Sequence, residues 1–126
     1  MGIITEILKV SNKITGSPAM NVPSKIDTGA TMLVLPQSVV DELKLPVQRK
    51  TTVKYANEIT AERDIVWGVE VEICGRKGVF EAVVEPNKTY ALLGAIVMEA
   101  LDLIVEPRSM KVYPNPRSFL PMAEIE

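Results

Sequence analysis

One short motif, Asp27-Thr28-Gly29, combines residue types that could carry out acid–base chemistry. It lies between two apolar stretches typical of strands, Lys25-Ile26 and residues 32–35, so the core could hold the carboxylate at the edge of a cleft. Gly29 permits a positive φ and the close approach of another backbone, and the Thr28 hydroxyl could fix the turn. The same tripeptide also fits an ordinary polar turn, because Asp and Gly are both favoured in turns.

The composition of the 126-residue chain points to carboxylates as its acid–base groups. It contains no histidine and a single cysteine, Cys74, so one chain cannot form a Ser-His or Cys-His nucleophile pair or an internal disulfide. The lone cysteine fits a reducing compartment, and together with the N-terminal sequence it predicts a cytoplasmic protein. The formal net charge of −2 argues against nucleic acid or an anionic membrane as the main partner.

Segments of alternating and β-branched residues predict a mainly β chain, and its length fits one domain. Two short helices are expected at residues 36–43, where Pro36 suits a first turn, and at residues 95–101. Trp67 and Phe80 are predicted to lie in the core. The predicted strands cover residues 3–10, 31–35, 50–55, 59–73, 79–84, 90–93, 103–105 and 110–113, with a loop at 12–23 and a turn at 75–78.

The segment Ile26-Asp27-Thr28-Gly29-Ala30-Thr31, followed by an apolar strand, resembles the active-site motif of the retroviral-type aspartic proteases, the retropepsin-like families of clan AA. Further along the chain, Ala91-Leu92-Leu93-Gly94 before a short helix is similar to their second signature, and residues 102–116 resemble the small bacterial and archaeal members. The resemblance implies a closed β-barrel or sandwich with one or two short helices. It would be formed by residues 1–113, with a Pro-rich C-terminal tail at residues 114–126.

The resemblance also implies an aspartic endopeptidase, in which two aspartates share one proton because two close like charges cannot both ionise. The ionised aspartate takes a proton from a water that attacks the scissile carbonyl, and the protonated one donates to the carbonyl oxygen. This chemistry needs neither a metal nor a cofactor. Because the chain carries one such motif, a two-fold homodimer is expected to bring Asp27 and its symmetry mate together, with a peptide or protein as substrate.

The family pattern assigns roles to the residues of these motifs. Thr28 is expected to hydrogen-bond across the dimer axis, Gly29 to face the carboxylates and the substrate, and Leu92-Leu93-Gly94 to support the loop from beneath. The hairpin around Asn57 would form a flap over the substrate, although an ordinary surface hairpin fits the same sequence. The residues expected to contact substrate are Lys25, Ala30, Tyr55, Ala56, Asn57, Glu58 and Ile59.

Two features depart from the family pattern. The flap segment contains no glycine, and Lys25 stands where the family has an apolar residue, on the same side of the strand as Asp27 if the strand is regular. Lys25 could favour acidic or polar substrate side chains or act on the ionisation of the aspartate pair; alternatively, the strand twists and Lys25 extends into water. Both features keep a second interpretation open: a catalytically weak or inactive dimeric module that binds peptides, or assembles, by strand addition.

Overall fold

The structure, a computed structural model, describes residues 4–116, which form nine strands and two short helices. Within these residues, no helix has the length and apolar character needed to span a membrane. The strands are β1 (Thr5–Asn12), β2 (Met20–Ile26), β3 (Leu33–Pro36), β4 (Val47–Lys54), β5 (Thr60–Ile73), β6 (Arg76–Glu85), β7 (Ala91–Leu93), β8 (Leu103–Glu106) and β9 (Lys111–Pro114), and the helices are α1 (Gln37–Leu43) and α2 (Ala95–Ala100).

Six strands close into a barrel in the order β1-β2-β7-β3-β6-β5, and β5 pairs back onto β1. β4 pairs with β5 in a long hairpin, and β8 and β9 form a separate two-stranded sheet. The predicted C-terminal tail lies outside the described residues from residue 117 onward. This closed barrel with two short helices confirms the predicted mainly β fold. Its largest fully buried side chains are Leu8, Leu33, Leu35, Ile65 and Leu93.

The short strand β7 lies between β2 and β3, parallel to the first and antiparallel to the second. Its central residue, Leu92, is opposite Lys25 of β2 and Val34 of β3. The chain that connects β2 to β3 must therefore loop around the end of β7. The residues of this loop, 27–32, begin with the Asp27 motif, so the topology places that motif at the edge of the barrel.

Several strand boundaries differ from the prediction, among them the starts of β2 and β6. β2 begins at Met20, so Pro23 lies within a strand, opposite Ile7 of β1 and before the three residues that pair with β7. A proline is tolerated in this edge portion because no neighbour requires its missing N–H. β6 begins at Arg76 because Cys74 and Gly75 alone form the turn, with φ values of 54° and 77° that fit a two-residue type I′ hairpin.

The prediction that Trp67 belongs to the core is wrong, because its side chain is 46% exposed. The β5–β6 register shifts between Val66 and Val69, and Gly68 between them has a φ of 73°. This bulge turns Trp67 to the surface while Val66 and Val69 stay fully buried. Phe80 is half-buried and packs against the core.

Candidate active site

Asp27 opens the loop between β2 and β3, and hydrogen bonds fix both its backbone and its side chain. Its N–H donates to the Leu93 carbonyl at 2.9 Å, and its own carbonyl accepts from the Ala30 N–H at 3.0 Å. The Gly29 N–H donates to Asp27 Oδ1 at 3.0 Å and orients the carboxylate. Within residues 4–116, Oδ2 makes no hydrogen bond, and the side chain is exposed. One carboxylate oxygen is therefore held, and the other is open to a second group.

The far side of the same loop is bound to the start of α2. The N–H groups of Ala95 and Ile96 donate to the carbonyl oxygens of Ala30 and Thr31, at 2.8 and 3.0 Å. These are N–H groups of the first helical turn, which have no partner inside the helix. The loop is thus tied at its beginning to β7 and at its end to α2, and both ties are backbone hydrogen bonds.

Gly94, between β7 and α2, allows this close approach. A Cβ at position 94 would lie 2.7 to 2.8 Å from the carbonyl oxygens of residues 30, 31 and 32, which is closer than atoms pack. Leu93 beside it is fully buried, and Leu92 is half-buried on the other face of β7. The structure therefore places the predicted support residues, Leu92-Leu93-Gly94, directly against the Asp27 loop.

Thr28 and Gly29 form the exposed tip of the loop. The Thr28 side chain makes no hydrogen bond to any other described residue. A Cβ on Gly29 would lie 3.2 Å from Asp27 Oδ1, a tight contact in the space that the carboxylate occupies. Ala30, half-buried behind the tip, contributes its carbonyl to the bond with α2.

The other three aspartates lie on different elements. Asp41 on α1 accepts a hydrogen bond from a glutamine of the same helix at 2.9 Å, and Asp64 of β5 pairs with a lysine of β4 at 2.6 Å. Asp102, between α2 and β8, accepts from Asn115 at 3.3 Å. In the described part of the chain, no cluster of three or more acidic, cysteine or histidine side chains could hold a metal ion. A single chain thus brings one aspartate to this loop.

The predicted flap is the tip of the β4–β5 hairpin. The Tyr55 N–H donates to the Ile59 carbonyl at 2.9 Å, and the Glu58 N–H donates to the Tyr55 carbonyl at 2.9 Å, which leaves residues 56–58 as a three-residue loop. Glu58 takes a φ of 70°, at the position where such loops prefer glycine. No hydrogen bond or ion pair joins this tip to the Asp27 loop within residues 4–116. Within the described residues, the two predicted parts of the site are therefore held independently of each other by their polar contacts.

Comparison with protein-family models identifies the family of this chain. The family model described as "Aspartyl protease" matches residues 10–102. The chain belongs to this family. The matched region contains the Asp27 loop, the β4–β5 hairpin and the β7–α2 support.

The fold is shared with solved structures of viral proteases, among them the following two. The EIAV protease complexed with the inhibitor HBY-793 matches with a TM-score of 0.61 and 21% identity, covering 80% of this chain and 89% of that chain. The simian foamy virus (mac) protease, a solution structure, matches with a TM-score of 0.52 and 22% identity over 77% of this chain and 96% of that chain. Comparison with the curated proteins finds no match. The predicted resemblance to retroviral-type aspartic proteases is confirmed; that to small bacterial and archaeal members stays a prediction.

The sequence does not predict a side-chain network that begins at the tip of the hairpin. The Tyr55 hydroxyl donates to Glu85 Oε2 at 2.6 Å, and Arg63 Nε donates to Glu85 Oε1 at 3.0 Å and to the Tyr55 oxygen at 3.1 Å. Glu85, the last residue of β6, is a buried carboxylate, and its side chain is 11% exposed. The network ties the hairpin tip to the barrel wall. No sequence pattern marks it, because its members are 8 to 30 residues apart.

The ionisation of this network follows from its burial and pairing. Burial, and then the hydrogen bond to Glu85, raise the pKa of the Tyr55 hydroxyl. The hydrogen bond to Glu85 raises the pKa of Arg63 further. Tyr55 is therefore a neutral donor to a carboxylate that a guanidinium already neutralises, which is a stable arrangement for a buried charge.

Lys25 lies on the regular part of β2, opposite Leu92. Its ammonium stands 4.1 Å from the centre of the Tyr90 ring, and the side chain is half-buried. The strand does not twist away before Asp27, since the ladder continues from Lys25 to the Asp27 N–H bond with Leu93. The alternation of β2 therefore puts Lys25 on the same side as Asp27, as the sequence predicts for a regular strand.

A groove of about 360 Å³ lies elsewhere, between the start of β3, β6 and α2. Its wall includes Met32, Phe80 and Ile96, but none of the residues predicted to act on or bind a substrate. The carboxylate that lines it, Glu81, is paired with Arg49 of the same groove, so we place the candidate site at the Asp27 loop.

Proposed function

We propose that this protein is a homodimeric aspartic endopeptidase, with Asp27 of each subunit forming the catalytic pair at a two-fold interface. One observation carries the proposal: an exposed aspartate, with one oxygen held by the Gly29 N–H, stands on a loop fixed by backbone bonds to β7 and α2. The three other aspartates lie elsewhere, so the second carboxylate must come from a second copy. We expect the protein to act in the cytoplasm, as its single cysteine suggests.

In the proposed reaction, each part of the loop has a task. The Asp27 pair shares one proton, and its ionised member takes a proton from the attacking water. The protonated member donates to the scissile carbonyl oxygen, and the tetrahedral intermediate then collapses with proton transfer to the leaving amine. The Gly29 N–H keeps each carboxylate in orientation, and Thr28, which has no partner inside the described subunit, is free to bind across the axis. The β4–β5 hairpin would cover an extended peptide.

The test is peptide cleavage by the full chain and by two matched variants. Asp27→Asn keeps the size of the side chain and removes the acid, so cleavage of a degenerate peptide library should fall about a thousandfold or more. Asp41→Asn makes the same chemical change at an exposed position of α1 and should leave cleavage unchanged. An Asp27→Asn variant that folds, dimerises and still cuts at the parent rate would contradict the proposal.

A second function, a dimeric peptide-binding module with weak or no catalysis, is favoured by the hairpin. Glu58 occupies the position that favours glycine, and the Tyr55–Arg63–Glu85 network ties the tip to the barrel. A restrained flap would hold a peptide but release it slowly. For such a module, the parent would cut nothing, and the parent and Asp27→Asn would bind the same peptides with equal affinity.

A further inference from the structure

Two ammonium groups converge on one aromatic ring beside the Asp27 loop. Lys25 Nζ lies 4.1 Å and Lys88 Nζ 5.1 Å from the centre of the Tyr90 ring. A ring face attracts a cation, so Tyr90 acts as a platform that holds both side chains close to each other. We call these three residues the Lys25–Lys88–Tyr90 cluster.

The cluster has no acidic partner in the described part of the chain. Neither lysine forms an ion pair with a carboxylate there, whereas Lys13, Lys50 and Lys54 do. Those three paired lysines are 61 to 63% exposed, while Lys25, Lys88 and Tyr90 are all half-buried. Two partly desolvated positive charges side by side repel each other, and this repulsion would be relieved by an incoming anion.

The electrostatics of the tyrosine agree with this geometry. The ammonium of Lys88 and then that of Lys25 lower the pKa of the Tyr90 hydroxyl. No carboxylate is among the causes of this shift. The ring therefore stands in a positive local field.

The cluster lies on the side of β2 that Asp27 faces. Lys25 precedes Asp27 by two residues on a regular ladder, so the two side chains share a face and their Cα atoms are about 7 Å apart. This is the spacing of alternate residues in an extended peptide. A peptide whose scissile bond lies at Asp27 would therefore place a neighbouring side chain within reach of the cluster.

We propose that Lys25, Lys88 and Tyr90 form a subsite for an acidic substrate side chain, Asp or Glu, next to the scissile bond. This inference rests on the proposed endopeptidase function and gives it a substrate class. A carboxylate in this position receives charge-assisted hydrogen bonds from two ammonium groups. An apolar side chain would instead cover both charges without supplying a hydrogen-bond acceptor.

The first measurement is cleavage of matched peptides by the full chain. A degenerate library locates the best cut sequence, and paired peptides then differ only by Glu or Gln on either side of the cut. We expect kcat/KM to favour the Glu peptide about tenfold, and the preference to shrink as salt is added. The double variant Lys25→Met/Lys88→Met should remove the preference, whereas Lys13→Met, at an exposed lysine on another turn, should keep it.

A second measurement separates this inference from the proposed function. Binding of the same peptide pair to Asp27→Asn, followed by fluorescence anisotropy, needs no catalysis. If the parent cuts nothing but this variant prefers Glu in a manner that depends on Lys25 and Lys88, the endopeptidase fails and the subsite stands. If the parent cuts Glu and Gln peptides equally, or the double variant keeps the preference, the subsite is wrong and the endopeptidase stands.

Discussion

The Asp27 loop and the β4–β5 hairpin are the two predicted walls of the cleft, and they are held in different ways. Backbone hydrogen bonds from β7 and α2 fix the loop, and Gly94 lets these elements approach. The hairpin has its own β4–β5 ladder, but side chains join its tip to the barrel wall, through Tyr55 and Glu85. The position of the loop therefore depends on main-chain geometry, while the tie between the hairpin tip and the barrel depends on a few polar side chains that could exchange partners.

The difference separates the tasks of the two regions. A catalytic carboxylate must keep its position to a fraction of an ångström, and main-chain ties to buried elements supply that rigidity. A flap must open and close, and a side-chain network of a few hydrogen bonds can break and reform on that timescale. We therefore expect changes at the loop to affect the whole fold and changes at the hairpin to act locally.

The largest effect is expected at Gly94. In Gly94→Ala, the new Cβ would meet three carbonyl oxygens at 2.7 to 2.8 Å, so the loop must shift, and the free energy of unfolding should fall by about 3 kcal/mol. Urea denaturation measures this. Gly75→Ala is the control: open space surrounds its Cβ, and only its φ of 77° is strained, so its cost should be about 1 kcal/mol. Equal costs at the two positions would show that the loop is not packed against Gly94.

An intermediate effect is expected at Tyr55. Tyr55→Phe removes the hydroxyl that donates to Glu85, which should lower the free energy of unfolding by about 1.5 kcal/mol. Tyr113→Phe makes the same change at a tyrosine that is 39% exposed and should have almost no effect. In Tyr55→Phe, amide hydrogen exchange should become faster in the β4–β5 hairpin but not in β7. An equal loss of protection in the hairpin and in β7 would contradict a local role for the Tyr55 hydroxyl.

The stability difference between the parent and Tyr55→Phe should also depend on pH. Burial raises the pKa of folded Tyr55 above its ordinary value of 10.0, so at higher pH the folded state holds a proton that the unfolded state has lost. The stabilisation that the protonated Tyr55 hydroxyl gives the folded state is complete below pH 10.0. It is lost as the pH rises through the pKa of Tyr55 in the folded state. The stability difference between parent and Tyr55→Phe should therefore narrow above that pH. A difference that widens there would have the wrong sign for a raised pKa.

The smallest effect is expected at Glu58. Glu58→Gly relieves the φ of 70° but loses an exposed ion pair with Lys54, so the free energy of unfolding should rise by only about 0.5 kcal/mol. Glu58→Gln loses the ion pair and keeps the strain, so it should be neutral or slightly destabilising. If Glu58→Gly were instead as damaging as Gly94→Ala, the hairpin could not be the locally held region.

The contrast between backbone and side-chain contacts also explains which features the sequence could predict. Asp27-Thr28-Gly29 and Leu93-Gly94 are visible because backbone geometry requires particular residues at particular positions. The hairpin was placed correctly around Asn57, since its turn is local. The exposure of Trp67 is not predictable in this way, because the sequence pattern does not show the bulge at Gly68 that turns its side chain outward.

The contacts that escaped prediction join distant positions. Tyr55 and Glu85 are 30 residues apart, and they meet only because β5 pairs with β6 in one particular register. Lys25 and Tyr90 meet for a similar reason, through the parallel pairing of β2 with β7. Strand register depends on the packing of whole strands, so it cannot be predicted from short sequence motifs.

The central claim is that each of two subunits supplies one catalytic aspartate. Mixing parent chains with Asp27→Asn chains tests it most directly. Parent and Asp27→Asn chains are refolded together in equal amounts at constant total concentration, after sedimentation has shown that each dimerises alone. Random pairing gives about one quarter parent homodimers, so cleavage should fall to about one quarter of the parent rate if both aspartates are required. A fall to only about one half would mean that each chain acts alone, and would contradict the shared site.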